Sequence, residues 1–370
     1  MPHINQQIIL ARRPAGAPVA DDFKLVTTPV PELQEGEVLL RTEYFTLDPY
    51  MRGRMSESKS YVPPFELNAV LEGQGVCIVE ESKSPDLNVG ERVLAQTGWE
   101  KYAIGKGKGL ESNDPFNPET LIKIPNGVKP SYFLGALGMT GFTAYHGLMA
   151  IGQPKAGETV VVSAATGAVG SIVGQLAKLK GCRVVGIAGS AKKCQYAIQE
   201  LGFDACVDHN SKTFVGDLKL ACPDGIDIYY ESVGGPVFWA VHPLLNNFAR
   251  VPICGVISWY NDLMTLLQPG FNFRLLWAKA IAFFRVFFRI DKSSLILANF
   301  ISKRLIFQGF IISDHYDHYS EFVKEVLPLI ESGKIKVKED IVQGIENAPE
   351  AFIGLLKGKN FGKLLIEVPQ

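Results

Sequence analysis

The first 130 residues place short apolar runs between Gly, Pro and Asn residues. Such runs occupy residues 37–48, 69–82 and 90–99. Apolar or alternating runs of this length, bounded by turn-forming residues, are typical of β-strands. The pattern therefore predicts that the first part of the chain is rich in β-structure.

From Ser131 the apolar residues first recur at helical spacing, and then strand-like runs alternate with helical ones. Alternation of this kind indicates βαβ units and a parallel, doubly wound sheet. The predicted strands of this part cover residues 159–164, 182–189, 204–209, 226–234, 249–258 and 304–313. The remaining residues predict a helix over 318–335 and a last strand over 363–368.

Residues 271–300 combine apolar residues with regularly placed cations. A membrane-spanning helix needs about 20 mostly apolar residues, whereas Arg274, Lys279, Arg285 and Arg289 interrupt this stretch. We therefore expect no transmembrane span. The pattern favours an amphipathic helix that packs on its own protein or on a partner subunit. Contact with a membrane surface is the alternative interpretation.

Length and charge narrow the class of protein. A chain of 370 residues corresponds to two or three folded units at about 150 residues each. The 37 basic and 38 acidic residues give a net charge of −1, which argues against a nucleic-acid partner held by a basic face. The N-terminal residues lack the apolar core of a secretory signal. We therefore expect a cytoplasmic protein.

The cysteines and histidines do not form a recognisable metal-binding pattern. The six cysteines lie far apart without a CxxC pair, and no HExxH motif is present. Structural zinc sites and disulfide frameworks normally show such close spacing. The sequence therefore predicts neither a metal site nor a disulfide framework.

The clearest local motif is a predicted strand that leads through Ala165-x-Gly167-x-x-Gly170 into a predicted helix. Small residues allow a tight turn there and let the backbone approach a pyrophosphate, which the free amides at the helix start attract. Because a strand precedes the motif and a helix and a second strand follow it, the motif predicts a dinucleotide site. A tight turn without a ligand is the alternative.

The next predicted strand ends at Gly189 and Ser190, which are followed by Lys192 and Lys193. An NAD site has an acidic residue near this position to bind the ribose 2′-hydroxyl. Here there is no acid to repel a 2′-phosphate, and two cations are available to bind one. The sequence therefore favours NADPH over NADH, the alternative being that both lysines only solvate the start of a helix.

Motifs along nearly the whole chain resemble those of the zinc-independent medium-chain dehydrogenases/reductases, and in particular the branch of alkenal, prostaglandin and curcumin reductases. These motifs are LDPYMRGRM (47–55), AATGAVGS (164–171), ESVGG (231–235), QGFIISDH (308–315) and GKNFGKLLI (358–366). The resemblance implies an α/β protein with a GroES-like β-barrel catalytic domain, formed by residues 1–130 and 316–370. A Rossmann doubly wound parallel-sheet domain would span residues 131–315, with the active site in the cleft.

The resemblance also implies a set of cofactor contacts. Gly167, Ala168, Val169 and Gly170 correspond to the pyrophosphate turn, and Lys193 corresponds to the lysine that pairs with the 2′-phosphate. His209 stands where many relatives have Tyr, and Ser232 stands where Asn is common. The other implied cofactor residues are Met139, Thr140, Gly141, Cys254, Gly255, Ile257, Phe310, Ile311, Ile312 and Asn360, which join Gly189 and Ser190 from the strand end.

The activity that the resemblance implies is the NADPH-dependent, zinc-independent reduction of the C=C bond of α,β-unsaturated aldehydes and ketones. Hydride would reach the β-carbon while hydrogen-bond donors stabilise the enolate oxygen. Tyr50 and Tyr260 match cleft tyrosines of the family and are the candidate donors. Quinone reduction by the same fold is one alternative. A non-catalytic NADPH-binding scaffold, which could also bind a membrane surface, is another.

The substrate and the oligomeric state are less constrained. We expect a small apolar or aromatic enal or enone, and a homodimer by analogy with the family. Arg52 and Arg54 are candidates either for attracting an acidic substrate or for internal hydrogen bonds. Five aromatic side chains are candidates for an apolar pocket lining: Phe45, Phe65, Trp259, Trp277 and Phe283.

Overall fold

The structure is a computed structural model that describes residues 3–106, 121–267, 273–290 and 293–369. Within this part of the chain the strands form three sheets. The first part of the chain contains β1 (Ile4–Leu10), β2 (Phe23–Pro29), β3 (Glu37–Thr46), β4 (Glu72–Ser82), β5 (Arg92–Gly98), β6 (Tyr102–Lys106) and β7 (Leu121–Lys123). The predicted β-rich character of this part is confirmed.

The end of the chain joins the sheet of the first part. β14 (Glu339–Gln343) and β15 (Lys363–Glu367) extend that sheet in the order β14-β15-β3-β4-β5-β7, with β6 paired to β3. β15 runs antiparallel to β3 with Leu365 opposite Thr46. This pairing brings residues from the two ends of the chain side by side, which matters for the site described below.

The middle of the chain forms a parallel sheet, as the alternating pattern predicted. Its strands are β8 (Thr159–Val162), β9 (Arg183–Ala188), β10 (Ala205–Asp208), β11 (Ile226–Tyr230), β12 (Leu245–Ile253) and β13 (Ile306–Gly309). The order is β10-β9-β8-β11-β12-β13, so the chain reverses its direction of winding between β8 and β11. Doubly wound sheets bind ligands at such a switch point, outside the carboxyl ends of the strands.

The predicted fold class, a GroES-like barrel combined with a Rossmann sheet, is confirmed. Helices cover both faces of the parallel sheet, so that each face of β8 is buried in an apolar core. Val160 and Val162 on one face belong to one core, and Val161 on the opposite face belongs to a second core. The helices are α1 (Met51–Arg54), α2 (Met139–His146), α3 (Gly170–Leu179), α4 (Ala191–Gln199), α5 (Phe214–Ala221), α6 (Gly235–Val241), α7 (Tyr260–Leu267), α8 (Phe273–Ile290), α9 (Ser293–Lys303), α10 (Tyr319–Glu331) and α11 (Ala348–Leu355).

The bounds of several elements differ from the sequence prediction. The strand predicted over 226–234 ends at Tyr230, and the one predicted over 249–258 is β12, Leu245–Ile253. The strand predicted over 304–313 is a strand only over Ile306–Gly309, because β12, with which it pairs, ends at Ile253 opposite Gly309. Ile312–His318 then form a 3₁₀ helix. The stretch 271–300 contains two helices, α8 and α9, rather than one. In the described ranges no helix combines the length and the apolar character that crossing a membrane requires.

Candidate active site

A cavity of about 870 Å³ lies at the carboxyl ends of the parallel strands. The glycine turn after β8 lines it on one side, and residues that follow β3 line it on the other. The cavity is therefore bounded by the parallel sheet and by the sheet that contains β3. The predicted residues that line it are Tyr50, Met139, Thr140, Gly167, Ala168, Val169, Gly170, Gly189, Lys193, His209, Ser232, Cys254, Gly255, Ile257, Tyr260, Phe310, Ile311, Ile312 and Asn360.

The glycine turn has the close backbone packing that the motif requires. A Cβ atom at Gly170 would lie 2.4 Å from the carbonyl oxygen of Ala164, and one at Gly167 would lie 3.2 Å from the same atom. The Gly167 amide donates to that carbonyl at 2.8 Å. Ala165 is fully buried. This close packing excludes a side chain at Gly170 and points the start of α3 at the cavity, where its backbone amides can bind a phosphate group.

Ser190 and Lys193 occupy the start of α4, but they do so in different ways. Ser190 caps the helix, because its hydroxyl accepts a hydrogen bond from the Lys193 amide at 3.3 Å. It is absent from the residues that line the cavity. The Lys193 side chain lines the cavity, whereas Lys192 does not. Of the two candidate lysines, only Lys193 is therefore placed to contact a ligand in the cavity.

The Lys193 ammonium group is anchored to the C-terminal segment. It donates to the carbonyl oxygens of Gly358 at 2.8 Å and Asn360 at 2.6 Å. An ammonium group has three donors, so one remains to meet a phosphate. Burial lowers the pKa of Lys193, and the nearby Asp340 partly offsets this effect.

Asn360 and His209 bound the same end of the cavity. The Asn360 amide donates to the Gly362 carbonyl at 2.8 Å and so stabilises its own loop. Next to His209, Asn210 donates to the Gly189 carbonyl at 2.9 Å. Asn210 also lines the cavity, although the sequence analysis did not single it out.

A buried carboxylate supports the loops that follow β11 and β12. Glu231 is only 2% exposed, and its Oε1 accepts from the amides of Val233 at 2.6 Å and Gly234 at 2.9 Å. Ser232 pairs with Ser163, with 3.1 Å between the hydroxyl oxygens. The Cys254 amide donates to the Glu231 carbonyl at 3.0 Å. Glu231 thus fixes the turn that presents Ser232, and the sequence analysis missed it.

The start of α2 lies at the cavity, but Gly141 serves packing rather than the cavity wall. A Cβ atom at Gly141 would lie 1.9 Å from the Ala136 carbonyl oxygen. The neighbouring Thr140 lines the cavity and donates its hydroxyl to the Gly135 carbonyl at 3.1 Å. Gly141 and Ser190 are therefore the predicted cofactor residues that lie next to the cavity without lining it.

The two candidate tyrosines reach the cavity from different elements. Tyr50 immediately precedes α1, and Tyr260 begins α7. Burial raises the pKa of Tyr260 to about 12. Burial, and then the charge of Asp48, also raise the pKa of Tyr50 above its usual value. Both phenols are therefore neutral hydrogen-bond donors near pH 7. A third cavity tyrosine, Tyr61, was not predicted.

A buried ion pair lies in the wall beside Tyr50. The Lys363 ammonium group is 2.5 Å from Oδ1 of Asp48, and the Thr46 hydroxyl donates to Oδ2 at 2.7 Å. The pair continues the antiparallel register of β15 and β3, in which Leu365 is opposite Thr46. Both members line the cavity. The sequence analysis assigned no role to Lys363, which lies 315 residues from Asp48.

The structure favours internal hydrogen bonds for the two arginines. Arg52 is fully buried and donates to Asn261 Oδ1 at 3.0 Å and to the Gly16 carbonyl at 2.8 Å. Arg54 donates to the Pro63 carbonyl at 2.9 Å and pairs with Glu72. Arg52 therefore holds α1 to the first turn of α7, close to Tyr260.

The five aromatic residues named as candidates for the pocket lining were the wrong ones. None of the five candidate aromatic residues lines the cavity. Phe45 and Phe65 face the core of the first part of the chain, and Trp277 and Phe283 are exposed on α8. Apolar surface at the cavity comes instead from Leu47, Val62, Pro63, Val233, Val237 and Leu355.

Family models match two regions of this chain. Residues 6–112 match a model described as the N-terminal domain of oxidoreductase. Residues 168–302 match a model described as zinc-binding dehydrogenase. In the part of the chain that the structure describes, however, no three His, Cys, Asp or Glu side chains converge in a way that could hold a metal ion.

Curated relatives match over almost the full length. The NADPH-dependent curcumin reductase of Escherichia coli strain K12 is 49% identical over 98% of this chain and 97% of its own. The NADP(+)-dependent 2-alkenal reductase of Nicotiana tabacum is 37% identical over the same shares of the two chains. Prostaglandin reductase 1 of Bos taurus is 38% identical over 95% of each chain.

Solved structures show the same similarity. CurA from Vibrio vulnificus in complex with NADPH is 49% identical, covers 99% of both chains and superposes with a TM-score of 0.85. Structures with 15–20% identity, among them a quinone oxidoreductase of Pseudomonas syringae, have TM-scores of 0.66–0.69 and share the fold.

Proposed function

This chain belongs to the curcumin, alkenal and prostaglandin reductase branch of the medium-chain dehydrogenase/reductase family, and we propose that it reduces the C=C bond of α,β-unsaturated aldehydes or ketones with NADPH. The observation on which the proposal depends is the pair of neutral phenols, Tyr50 and Tyr260, at one cavity beside the glycine turn. Such donors suit an oxygen atom that gains negative charge during the reaction.

The cavity fits NADPH on the basis of its own residues. The backbone amides that follow Gly167 would hold the pyrophosphate, since the Gly167 amide itself donates to the Ala164 carbonyl. The turn there is packed too closely for a Cβ atom at Gly170. Lys193 would meet the 2′-phosphate with its remaining donor. The strand-end loops around Ser232 and Cys254 would position the nicotinamide end. When bound, NADPH supplies the hydride.

The protein's part in the reaction is orientation and charge stabilisation. A substrate carbonyl oxygen within reach of Tyr50 or Tyr260 would receive a hydrogen bond that strengthens as the oxygen becomes an enolate. Because the phenols have raised pKa values, they donate without losing their protons to solvent. Arg52 supports this geometry by holding α1 against α7 through Asn261.

We propose that the reaction needs no zinc. The donor set supports this, since the described residues contain no cluster of His, Cys, Asp or Glu that could bind a metal ion. The buried Lys363–Asp48 pair adds no acid or base that is free to bind an ion, because each charge already has a partner. The two tyrosine hydroxyls would take the role of a metal at the carbonyl oxygen.

The proposed substrate is a small apolar or aromatic enal or enone. The support is the apolar surface that Leu47, Val62, Pro63 and Val233 contribute to the cavity. An acidic substrate has less support, because Arg52 does not line the cavity and Arg54, which does, is paired with Glu72.

The test is a comparison of initial rates with NADPH and with NADH, using a medium-chain 2-alkenal, an aromatic enone and a quinone as acceptors. The proposal predicts turnover of the alkenal or enone, a preference for NADPH, and a saturated carbonyl product. Turnover of the quinone alone would favour quinone reduction. Tight NADPH binding without oxidation by any acceptor would favour a non-catalytic scaffold.

We further propose that the enzyme forms a homodimer. β13 lies at one end of the parallel sheet and pairs only with β12 among the described strands. An edge strand offers backbone groups to a second copy, and Ile306 on β13 is half-exposed. Light scattering in solution tests this proposal.

A cytoplasmic location stays a prediction from the sequence.

A further inference from the structure

Helix α8 exposes an unusual number of large apolar side chains. Leu276 is 45% exposed, Trp277 72% and Ile281 40%, and Phe283 and Phe284 are also more than half exposed. We call these five residues the α8 face. Leu275 and Ala282, which are seven positions apart, are buried and turn the opposite side of the helix towards the protein. The apolar exposure is therefore a property of one side of a packed helix.

The charge of α8 has a single sign. Its sequence, FRLLWAKAIAFFRVFFRI, contains Arg274, Lys279, Arg285 and Arg289 and no acidic residue. The whole chain, by contrast, has a net charge of −1. Aromatic and aliphatic residues combined with cations on one helix are typical of segments that lie in a membrane interface.

Charge also discriminates between two possible occupants of this surface. A second copy of the chain would bind through a two-fold axis and bring the same surface of both copies together. Arg274, an exposed cation of α8, would then approach the same residue of the other copy, and like charges at an interface are unfavourable. An anionic phospholipid surface has the complementary charge and accepts the apolar side chains. A transmembrane arrangement does not apply, because α8 is not apolar enough to cross a bilayer.

We propose that the α8 face binds the protein peripherally to anionic phospholipid membranes. The helix lies parallel to the surface, with Trp277, Ile281 and Leu276 among the outer parts of the acyl chains and Arg274 at the phosphates. Binding requires neither NADPH nor substrate, so this proposal does not depend on the proposed reaction.

The position of α8 links the membrane surface to the cavity. α8 packs on α7, and α7 begins with Tyr260, which lines the cavity. Arg52 in turn holds Asn261, the second residue of α7, to α1. A surface that binds α8 therefore lies one helix away from the proposed catalytic site, on a route that suits apolar substrates dissolved in a membrane.

The first experiment is flotation of the full chain with two kinds of vesicle, phosphatidylcholine alone and phosphatidylcholine with one quarter phosphatidylglycerol. We expect binding to the anionic vesicles at least about tenfold tighter than to the neutral ones, and weaker binding as salt is raised. The double variant Trp277→Glu/Ile281→Glu should lose binding by about tenfold or more. Val215→Glu/Leu220→Glu is the matched control, because Val215 and Leu220 are 64% and 80% exposed on α5 and the double change adds the same charge. It should bind as the unmodified protein does.

A second variant reports on insertion without changing the apolar character of the helix. Tryptophan emission should shift to shorter wavelength when anionic vesicles are added, since Trp277 enters a less polar environment. Trp277→Phe should bind the vesicles and lose the part of the shift that Trp277 contributes, because the other tryptophans, fully buried Trp99 and partly buried Trp239 and Trp259, lie outside the α8 face. Thermal unfolding midpoints of all variants establish that each one folds.

Three results would overturn the proposal. The first is binding to neutral and anionic vesicles with equal affinity, or no binding to either kind of vesicle. The second is unchanged vesicle binding by the folded Trp277→Glu/Ile281→Glu variant. The third is a dimer in light scattering that this variant converts to a monomer, since the α8 face would then belong to a second copy of the chain.

Discussion

Single residues at the cavity supply hydroxyl and ammonium groups with defined partners. Tyr260 is the clearest case, because it lines the cavity and burial raises its pKa to about 12. A phenol in this state donates a hydrogen bond across the whole range in which such enzymes are assayed. Its contribution should therefore concern the oxygen of the reacting carbonyl rather than the cofactor.

Tyr260→Phe should lower kcat on a good enone by about 100-fold, the usual effect of removing one donor to a developing oxyanion. NADPH affinity should change little. Steady-state kinetics and a cofactor-binding titration measure the two quantities separately. Tyr44→Phe is the control, because the Tyr44 hydroxyl donates to Glu367 outside the cavity. Unchanged turnover of Tyr260→Phe would remove this residue from the mechanism.

Lys193→Ala should weaken NADPH binding by about 10- to 100-fold, the range expected for one hydrogen bond to a charged group, and should affect NADH much less. The reason is that NADH has no 2′-phosphate to meet the ammonium group. Lys192→Ala is the matched control, since Lys192 is exposed and does not line the cavity. Equal losses for both cofactors would mean that Lys193 acts only by anchoring Gly358 and Asn360.

Local motifs predicted some of these residues and not others. Only α3 and β9 separate the glycine turn from Lys193 at the start of α4, so their spacing could be interpreted from the sequence. The Asp48–Lys363 pair joins residues 315 positions apart and depends on the register of β15 against β3. The direction of each side chain could not be predicted from the sequence either. Phe45 and Trp277 are both apolar, but one faces a core and the other faces solvent.

At the scale of elements, hydrophobic periodicity predicted the parallel sheet because its strands are buried on both faces. Thr159–Val162 is buried at every position. β1 and β2 were not predicted, because polar residues interrupt them and β2 is largely exposed. The end of β13 could not be predicted either, because it is set by the end of β12, with which it pairs.

A histidine pair at the contact between α2 and the 3₁₀ helix Ile312–His318 should make the free energy of unfolding depend on pH. The ring of His146 stacks on His315 with 3.9 Å between centroids. Burial first, and His315 second, lower the pKa of His146 to about 4. The unfolded chain binds a proton at this residue near the ordinary value of about 6.5.

The free energy of unfolding should therefore fall as pH decreases from about 6.5 to about 4, because the unfolded state binds more protons in that range. The contribution of His146 should be on the order of 1–3 kcal/mol. Urea unfolding of the unmodified protein and of His146→Gln at several pH values measures it. The variant should lose this part of the pH dependence, and His3→Gln, near the N-terminus, should keep it. Parallel curves for all three proteins would contradict the assignment.

At the scale of the whole molecule, the site exists only because the two sheets meet. Gly167 of the cofactor turn forms a parallel bridge with Gly362 just before β15. Lys193 of α4 binds the carbonyls of the same C-terminal segment. Arg52 makes a third connection, from α1 to α7. The cofactor turn is thus tied directly to the chain segment that carries Lys363.

The sequence could predict this assembly only through resemblance. Local patterns indicated a β-rich part and a parallel sheet, but no local pattern shows that residues 339–367 return to pair with β3. The return follows from long-range strand pairing. Domain boundaries at residues 130 and 315 stay predictions, because the 3₁₀ helix Ile312–His318 continues directly into α10.

The central claim is that hydride from NADPH reaches the β-carbon of an enal or enone, and the fate of a labelled hydride tests it most directly. NADPH that carries deuterium at the transferable position of the nicotinamide is mixed with a 2-alkenal and the enzyme, and the product is analysed by NMR. We expect a saturated aldehyde with deuterium on the former β-carbon. Deuterium on the carbonyl carbon of an allylic alcohol, with the C=C bond intact, would contradict it.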